Sequence, residues 1–185
     1  SGVGKDSVIE RLRPHLKDEY FAVTATTRIR RPGEAEGVHY HFLSEAEFQE
    51  KLGEGEFLES ASVYGNHYGV LRSPARKALA EGKHVFFKVD VQGAAAIRRL
   101  VPTAVSIFLA PESASTLLQR LKHRKTDDPA VLMTRFATAT RELAAAADFD
   151  YVIFNRQDQL DEALQEILSV VRAETVRTAQ PRVQL

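Results

Sequence analysis

Short apolar runs alternate with amphipathic stretches over much of the chain. The runs HVFFKVDV, AVSIFLA and YVIF are typical of strands that are buried on both faces. Apolar residues recur at helical spacing over 94–100, 115–122, 128–147 and 158–177. This alternation of strands and helices predicts an α/β fold with a doubly wound parallel sheet flanked by helices.

The segment from Thr24 to about Gly82 departs from this alternation. FAVTA is a short apolar strand, and EFLESASVYGNHYGV predicts a strand, a turn and a second strand. Between them, Ser44 and Glu47 form a capping box for a helix that reaches about Leu52. We therefore predict a small mixed α+β insertion beside the core.

Composition limits the partners. The 185 residues are 44% hydrophobic and 27% charged, which is the balance of a globular domain with one core. Twenty-five basic and 25 acidic side chains give a net charge of zero, so we expect neither nucleic acid nor membrane as a partner. The absence of cysteine excludes disulfides, thiolate metal sites and cysteine nucleophiles. The apolar runs are too short to span a bilayer.

The first residues, SGVGKDS, match the second half of a phosphate-binding loop, G-x-x-x-x-G-K-[ST]. Glycines let such a loop curl its backbone N–H groups around phosphate oxygens at the N-terminus of a helix, here predicted over about 5–15. The first glycine of the motif would lie two residues before Ser1, so we expect the natural chain to start further upstream. The candidate binding residues are Ser1, Gly2, Val3, Gly4, Lys5, Asp6 and Ser7.

Asp6 stands where this motif usually has a Ser or Thr that binds Mg²⁺. Ser7 cannot replace that hydroxyl, because one residue along a helix is about 100° around it. A carboxylate is a good ligand for Mg²⁺ but repels phosphate when no cation is present. Asp6 is therefore a candidate Mg²⁺ ligand.

The segment TTRIRRPGEAEGVHYHF is basic and contains a Pro-Gly turn. Arg28 and Arg31 lie three residues apart, and Tyr40 begins the next predicted strand. Guanidinium groups bind phosphate in a bidentate manner and stay charged, so this segment is a second candidate phosphate site.

The pattern T-T-R-x-x-R-x-G-E-x-x-G-x-x-Y-x-F resembles guanylate kinase. The resemblance continues through GEFLE, YGNHYG, VDVQGA, RLKHRKT and DYVIFN and covers essentially the whole chain. It implies transfer of the γ-phosphoryl group of ATP to GMP, giving ADP and GDP, with Mg²⁺ as cofactor. It also implies a P-loop core (1–23, 82–119 and 137–185), a GMP-binding insertion (24–81) and a lid (120–136).

The resemblance further implies a role for individual residues. The GMP phosphate would be held by Arg28, Arg31, Tyr40 and Tyr68, and guanine by Glu59 and Asp90. The ATP phosphates and the transferred group would be neutralised by Lys5, Arg120, Arg124 and Arg135. Asn155 would lie on the adenine side of ATP. We expect a cytoplasmic monomer or homodimer. An organellar location stays open, because we expect the true N-terminus to lie upstream of Ser1.

The chemistry of Glu59 agrees with this role. Guanine presents two donors, N1–H and N2–H₂, side by side, which suit a carboxylate, whereas adenine presents an acceptor at N1. A mismatched buried polar group costs on the order of 1–3 kcal/mol. Val70 follows Gly69 where the family usually has Ser or Thr, so one hydroxyl that contacts the base is missing.

Lys88 also departs from the family pattern, which usually has an acid there, while Asp90 is kept. Together with Asp6, this departure suggests that the residues expected around the Mg²⁺ ion are rearranged. One hypothesis is that Asp6 binds Mg²⁺ or pairs with Lys88 when metal is absent. The other is that the two substitutions are independent.

Two further classes of function stay open. A related kinase for ribose bisphosphate also carries Gly-Lys-Asp-Ser in its loop, but the pairing of Glu59 with Asp90 argues against it. A non-catalytic guanylate-kinase-like domain would bind phosphopeptides at the GMP site. Lys5 and the lid arginines argue against that reading, whereas Asp6 and Lys88 favour it.

Overall fold

The structure is a computed structural model that describes residues 2–122, 129–178, 183 and 185. Its helices are α1 (Lys5–Leu12), α2 (Glu45–Gly53), α3 (Arg72–Ala80), α4 (Val91–Leu100), α5 (Ala114–Lys122), α6 (Pro129–Ala144) and α7 (Leu160–Thr175). Its strands are β1 (Tyr20–Phe21), β2 (Thr24–Thr26), β3 (His41–Phe42), β4 (Phe57–Val63), β5 (Asn66–Leu71), β6 (Val85–Phe86), β7 (Ile107–Pro111) and β8 (Tyr151–Asn155). No helix in the described part of the chain is long and apolar enough to cross a membrane.

The chain divides into two compact units. The first unit comprises Ser1–Leu16 and Val105–Gln180, and the second comprises Lys17–Ala104 and Pro181–Leu185. The predicted division into core, insertion and lid has boundaries that differ from those of these two units, and it stays a prediction.

The first unit contains a parallel ladder of β7 and β8, in register from Ile107 opposite Tyr151 to Pro111 opposite Asn155. Helix α7 packs against β8 and α1, and α5 packs against β7 and α6. Parallel strands covered by helices are the arrangement that short, continuous apolar runs predict.

The second unit contains a short parallel ladder of β1 and β6 and a four-stranded sheet in the order β3-β2-β5-β4. In that sheet β2 pairs parallel with β3, and β5 pairs antiparallel with both β2 and β4. The β4–β5 hairpin turns at Tyr64 and Gly65, whose φ angles of 50° and 74° are both positive, as a type I′ turn requires.

The predicted α/β class is confirmed. The prediction of one strand over FAVTA is wrong, because this run is divided between β1 and β2, which pair in different sheets. The other differences lie at element ends. Helix α1 stops at Leu12 and continues as a 3₁₀ turn over Arg13–His15, because Pro14 has no N–H to extend the α-helical pattern. Helix α4 begins at Val91, earlier than the predicted residue 94, because the Asp90 side chain caps it. The apolar run 84–91 forms a ladder only over Val85–Phe86, where its partner β1 is equally short.

Candidate active site

The glycine loop of the first unit is shaped by two left-handed residues. Gly2 and Gly4 have φ angles of 83° and 89°, and the Gly4 carbonyl accepts the Val8 N–H at 3.0 Å as α1 begins. Between them, Val3 is buried against Leu117 and Leu121 of α5, members of one apolar cluster. The loop is therefore fixed at the N-terminus of α1, where the helix dipole favours an anion.

Asn155, at the end of β8, fixes the same loop from the other side. Its side chain is 5% exposed, and its Nδ2 donates to the Val3 carbonyl at 2.9 Å. A Cβ atom on Gly4 would lie 2.5 Å from that nitrogen, so only glycine allows this approach. The structure thus gives Asn155 a contact with the loop, and its contact with adenine stays a prediction.

The remaining loop residues lie in the first turn of α1. Lys5 is half-buried, and Asp6 and Ser7 are exposed. Ser1 lies outside the described residues. The described residues contain no group of three or more His, Cys, Asp or Glu that could hold a metal ion. A magnesium ion bound to nucleotide phosphates keeps several waters and needs only one or two carboxylates, so an exposed Asp6 fits that chemistry.

In the second unit, the register of the four-stranded sheet brings several predicted site residues to one face. Glu59 lies opposite Val70, and Tyr68 lies opposite Thr26. Because side chains alternate along a strand, Glu59, Val70 and Tyr68 point to the same side of the sheet. The other face packs Ala25 against Phe48 of α2 and Phe57.

A β-bulge explains why Glu59 is buried. The register shifts between Phe57 and Glu59, so three successive residues of β4, including Leu58, are buried. A bulge of this kind turns a side chain toward a site that regular alternation would not give it. Glu59 is only 7% exposed.

The surroundings of the Glu59 carboxyl oppose its ionisation. Burial, and second the negative charge of Asp90, raise the pKa of Glu59 to about 7. A Cβ atom on Gly93 would lie 2.8 Å from Glu59 Oε2, so α4 approaches the carboxyl closely. Asp90 caps this helix, its Oδ1 accepting the Gly93 N–H at 2.8 Å. Val70 is 1% exposed and adds no polar atom.

Arg28 lies in a cluster that sequence reasoning predicted only in part. Its Nη1 donates to the Ile29 carbonyl and its Nη2 to Glu34 Oε1, each at 2.7 Å. Glu34 also accepts the Arg31 backbone N–H at 2.8 Å. Burial opposes ionisation of Glu34, but the bonds from Arg28 and Arg31 outweigh it and hold the Glu34 pKa below its usual value.

Aromatic rings complete this cluster. The Arg28 guanidinium carbon lies 5.3 Å from the centre of the Tyr40 ring, and the Tyr40 and Tyr68 rings meet edge to face at 6.3 Å. The structure thus brings Arg28, Tyr40 and Tyr68 together. The Arg31 side chain is exposed, and its charge helps to hold the Glu34 pKa below its usual value.

The sequence predicted that Lys88 lies near the Mg²⁺ ion, and it gave no sign that Lys88 contacts the cluster of Arg28 and Tyr40. The Lys88 ammonium donates to Tyr40 Oη at 3.3 Å and lies 4.3 Å from the centre of the Tyr40 ring. No feature of the local sequence indicates this contact. Asp6 and Lys88 belong to different units, so the coupling of the two stays a prediction.

The structure describes the three predicted lid arginines to different extents. Arg120 donates through Nη2 to the carbonyls of Asn155 (3.0 Å) and Arg156 (3.1 Å). Its Nη1 is buried and has no hydrogen-bond partner among the described residues. Arg124 lies outside the described residues, and for Arg135 only its backbone position in α6 is described.

The α/β fold and the glycine loop before α1 are typical of P-loop nucleotide-binding proteins. Within that class the chain belongs to the guanylate kinase family, whose model, described as guanylate kinase, matches residues 1–174. This confirms the resemblance seen in the motifs.

Similar proteins agree with this assignment. A guanylate kinase of Methylobacillus flagellatus is 42% identical over 96% of this chain and 87% of its own length. One from Mycobacterium sp. (strain MCS) is 41% identical over 98% of this chain and 91% of its own. A rice relative, guanylate kinase 2, chloroplastic/mitochondrial, is 40% identical over 96% of this chain, which spans 62% of that relative. The crystal structure of guanylate kinase from Anaplasma phagocytophilum matches with a TM-score of 0.77 and 31% identity, covering 94% of this chain and 83% of the other.

Proposed function

We propose that this chain transfers the γ-phosphoryl group of ATP to GMP and releases ADP and GDP. Beyond the family assignment, the observation that carries the proposal is the shared sheet face. One side of the four-stranded sheet bears a buried carboxyl, Glu59, and a tyrosine, Tyr68, whose ring meets the Tyr40–Arg28 cluster. A base-binding acid and a phosphate-binding cluster on one face suit a nucleoside monophosphate.

On the acceptor side, Glu59 accepts N1–H and N2–H₂ of guanine, with Asp90 beside it. The two guanine donors favour the ionised form of the Glu59 carboxyl, which burial and the charge of Asp90 oppose in the absence of nucleotide. The phosphate of GMP is bound by Arg28, Arg31, Tyr40 and Tyr68. Adenine offers Glu59 an acceptor at N1, so AMP leaves the carboxylate unsatisfied.

On the donor side, the backbone of residues 1–7 and the Lys5 ammonium hold the ATP phosphates at the N-terminus of α1. Arg120, Arg124 and Arg135 neutralise the charge that develops on the transferred group. The Arg120 Nη2 already donates to two carbonyls, so its Nη1 supplies the donors for a phosphate. Phosphoryl transfer needs positioning and charge stabilisation more than covalent catalysis. Asn155 holds the loop in place and lies on the adenine side.

Asp6 is the proposed Mg²⁺ ligand. A Mg²⁺ ion held there would offset the negative charge of the ATP phosphates. Asp6 would supply a carboxylate oxygen in place of the hydroxyl that this motif usually provides. We also propose a cytoplasmic location and a monomeric or homodimeric state, with no nucleic-acid or membrane partner.

The test is ADP release by the natural full-length protein with ATP, Mg²⁺ and one acceptor at a time: GMP, AMP or ribose bisphosphate. We expect turnover with GMP and little with the other two. Equal turnover with AMP would contradict the role of Glu59, and preference for ribose bisphosphate would favour the related sugar-phosphate kinase.

A further inference from the structure

We propose that Lys88 is a further phosphate-binding residue of the acceptor site, which donates to the GMP phosphate together with Tyr40. This inference rests on the proposed function, because it assumes that the ligand of this site is a nucleoside monophosphate. The proposal gives Lys88 a contact with the substrate phosphate, whereas the sequence predicted a role near the Mg²⁺ ion.

The backbone position of Lys88 is set by the sheet that carries the site. Lys88 follows β6, and its carbonyl accepts the Thr24 hydroxyl of β2 at 3.5 Å. Thr24 lies opposite Val70 in the register, on the same face as Glu59. The Lys88 side chain therefore starts at the face where the acceptor nucleotide is proposed to bind.

The ammonium group of Lys88 reaches the phosphate-binding end of that face. Its Nζ lies 3.3 Å from Tyr40 Oη and 4.3 Å from the Tyr40 ring centre. The guanidinium carbon of Arg28 lies 5.3 Å from the same ring. Both cations are within the distance of about 6 Å at which a ring attracts a positive charge. A phosphate that contacts the Tyr40 hydroxyl is then within reach of Lys88.

Charge makes this contact consequential. Arg28 and Glu34 form an ion pair at 2.7 Å with side chains only 11% and 17% exposed, so together they add no net charge. Adding Lys88 gives these three groups one positive charge. Two of the Arg28 donors are also engaged with Ile29 and Glu34. An ammonium beside the Tyr40 hydroxyl therefore supplies charge and donors that a phosphate dianion needs.

The experiment compares a ligand that has the phosphate with one that lacks it. GMP and guanosine are titrated, by NMR, into the natural full-length protein and into its Lys88→Met, Lys88→Arg and Lys77→Met variants. Met keeps the length of the side chain and much of its packing on Tyr40 but removes the charge. Lys77, exposed on α3 of the same unit, is the matched control.

We expect Lys88→Met to weaken GMP binding about tenfold or more, the loss typical of a hydrogen bond to a charged group. Guanosine binding should stay within about twofold of wild type, Lys88→Arg should keep most of the GMP affinity, and Lys77→Met should change neither.

Two results would overturn the proposal. GMP binding that is unchanged in Lys88→Met would show that the ammonium does not contact the phosphate, and equal losses for GMP and guanosine would show that Lys88 only supports the fold. Both results are read from binding constants and not from turnover. A protein that binds GMP without turnover would contradict the proposed function, but the comparison of GMP with guanosine would still test the role of Lys88.

Discussion

Replacing Glu59 by Gln should stabilise the nucleotide-free protein, and increasingly so as the pH rises. Gln has nearly the shape of Glu but cannot ionise. Burial and the charge of Asp90 raise the Glu59 pKa from 4.5 to about 7, so the folded chain binds this proton more tightly than the unfolded chain. The penalty for ionising Glu59 therefore appears as the pH rises above about 4.5 and is complete above about 7.

The size of the effect follows from that shift. Each pKa unit corresponds to about 1.4 kcal/mol, so ionised Glu59 lowers the free energy of unfolding by about 3 kcal/mol near pH 8. Near pH 5 the carboxyl is mostly protonated in the folded chain, and the cost is about 1 kcal/mol. The gain from Glu59→Gln should thus be about 2 kcal/mol larger at the higher pH.

Urea unfolding of wild type and Glu59→Gln, at both pH values and without nucleotide, measures this difference. Glu50→Gln is the matched control, since Glu50 is exposed on α2 and its replacement should change stability by less than about 0.5 kcal/mol at either pH. A stability difference for Glu59→Gln that does not depend on pH, or a loss of stability near pH 8, would refute the reasoning.

Three further predictions concern the loop and the base site. Gly4→Ala should weaken ATP binding more than about tenfold in calorimetry, because the φ of 89° and a Cβ only 2.5 Å from Asn155 Nδ2 force the loop to move. Gly53→Ala, with no atom within 4 Å of its Cβ, is the control, and equal losses in both would contradict the account. Asn155→Ala leaves the Val3 carbonyl without its donor, so stability should fall by about 1–3 kcal/mol and the KM for ATP should rise while that for GMP does not. Guanosine affinity should fall about tenfold from pH 8 to pH 6 as Glu59 takes up its proton, and Glu59→Gln should abolish that dependence.

Features set by neighbouring residues were predictable from the sequence. The capping box of Ser44 and Glu47 is present, with the Ser44 side chain accepting the Glu47 N–H and the Glu47 carboxylate accepting the Ser44 N–H. The positive φ angles of Gly2 and Gly4 agree with a phosphate-binding loop. In each case the stabilising contact spans only a few residues, so its pattern is visible in the chain.

Features that depend on long-range packing were not predictable in the same way. Asn155 and Val3 are 152 positions apart, and no local pattern shows that the Asn155 amide holds the loop. The contact of Lys88 with Tyr40 joins residues 48 apart. The burial of Glu59 depends on a bulge that only the pairing of β4 with β5 defines. Local propensity carries no information on such contacts.

The measurement that tests the central claim most directly is transfer of labelled γ-phosphoryl from ATP to GMP. It is made with the natural full-length protein and with Lys5→Met, and GMP binding is measured in parallel. We predict labelled GDP with wild type, at least about a hundredfold less with Lys5→Met, and similar GMP affinity in both, since Lys5 belongs to the donor loop. Tight GMP binding without labelled GDP from wild type would contradict the account and favour a binding module that no longer transfers phosphate.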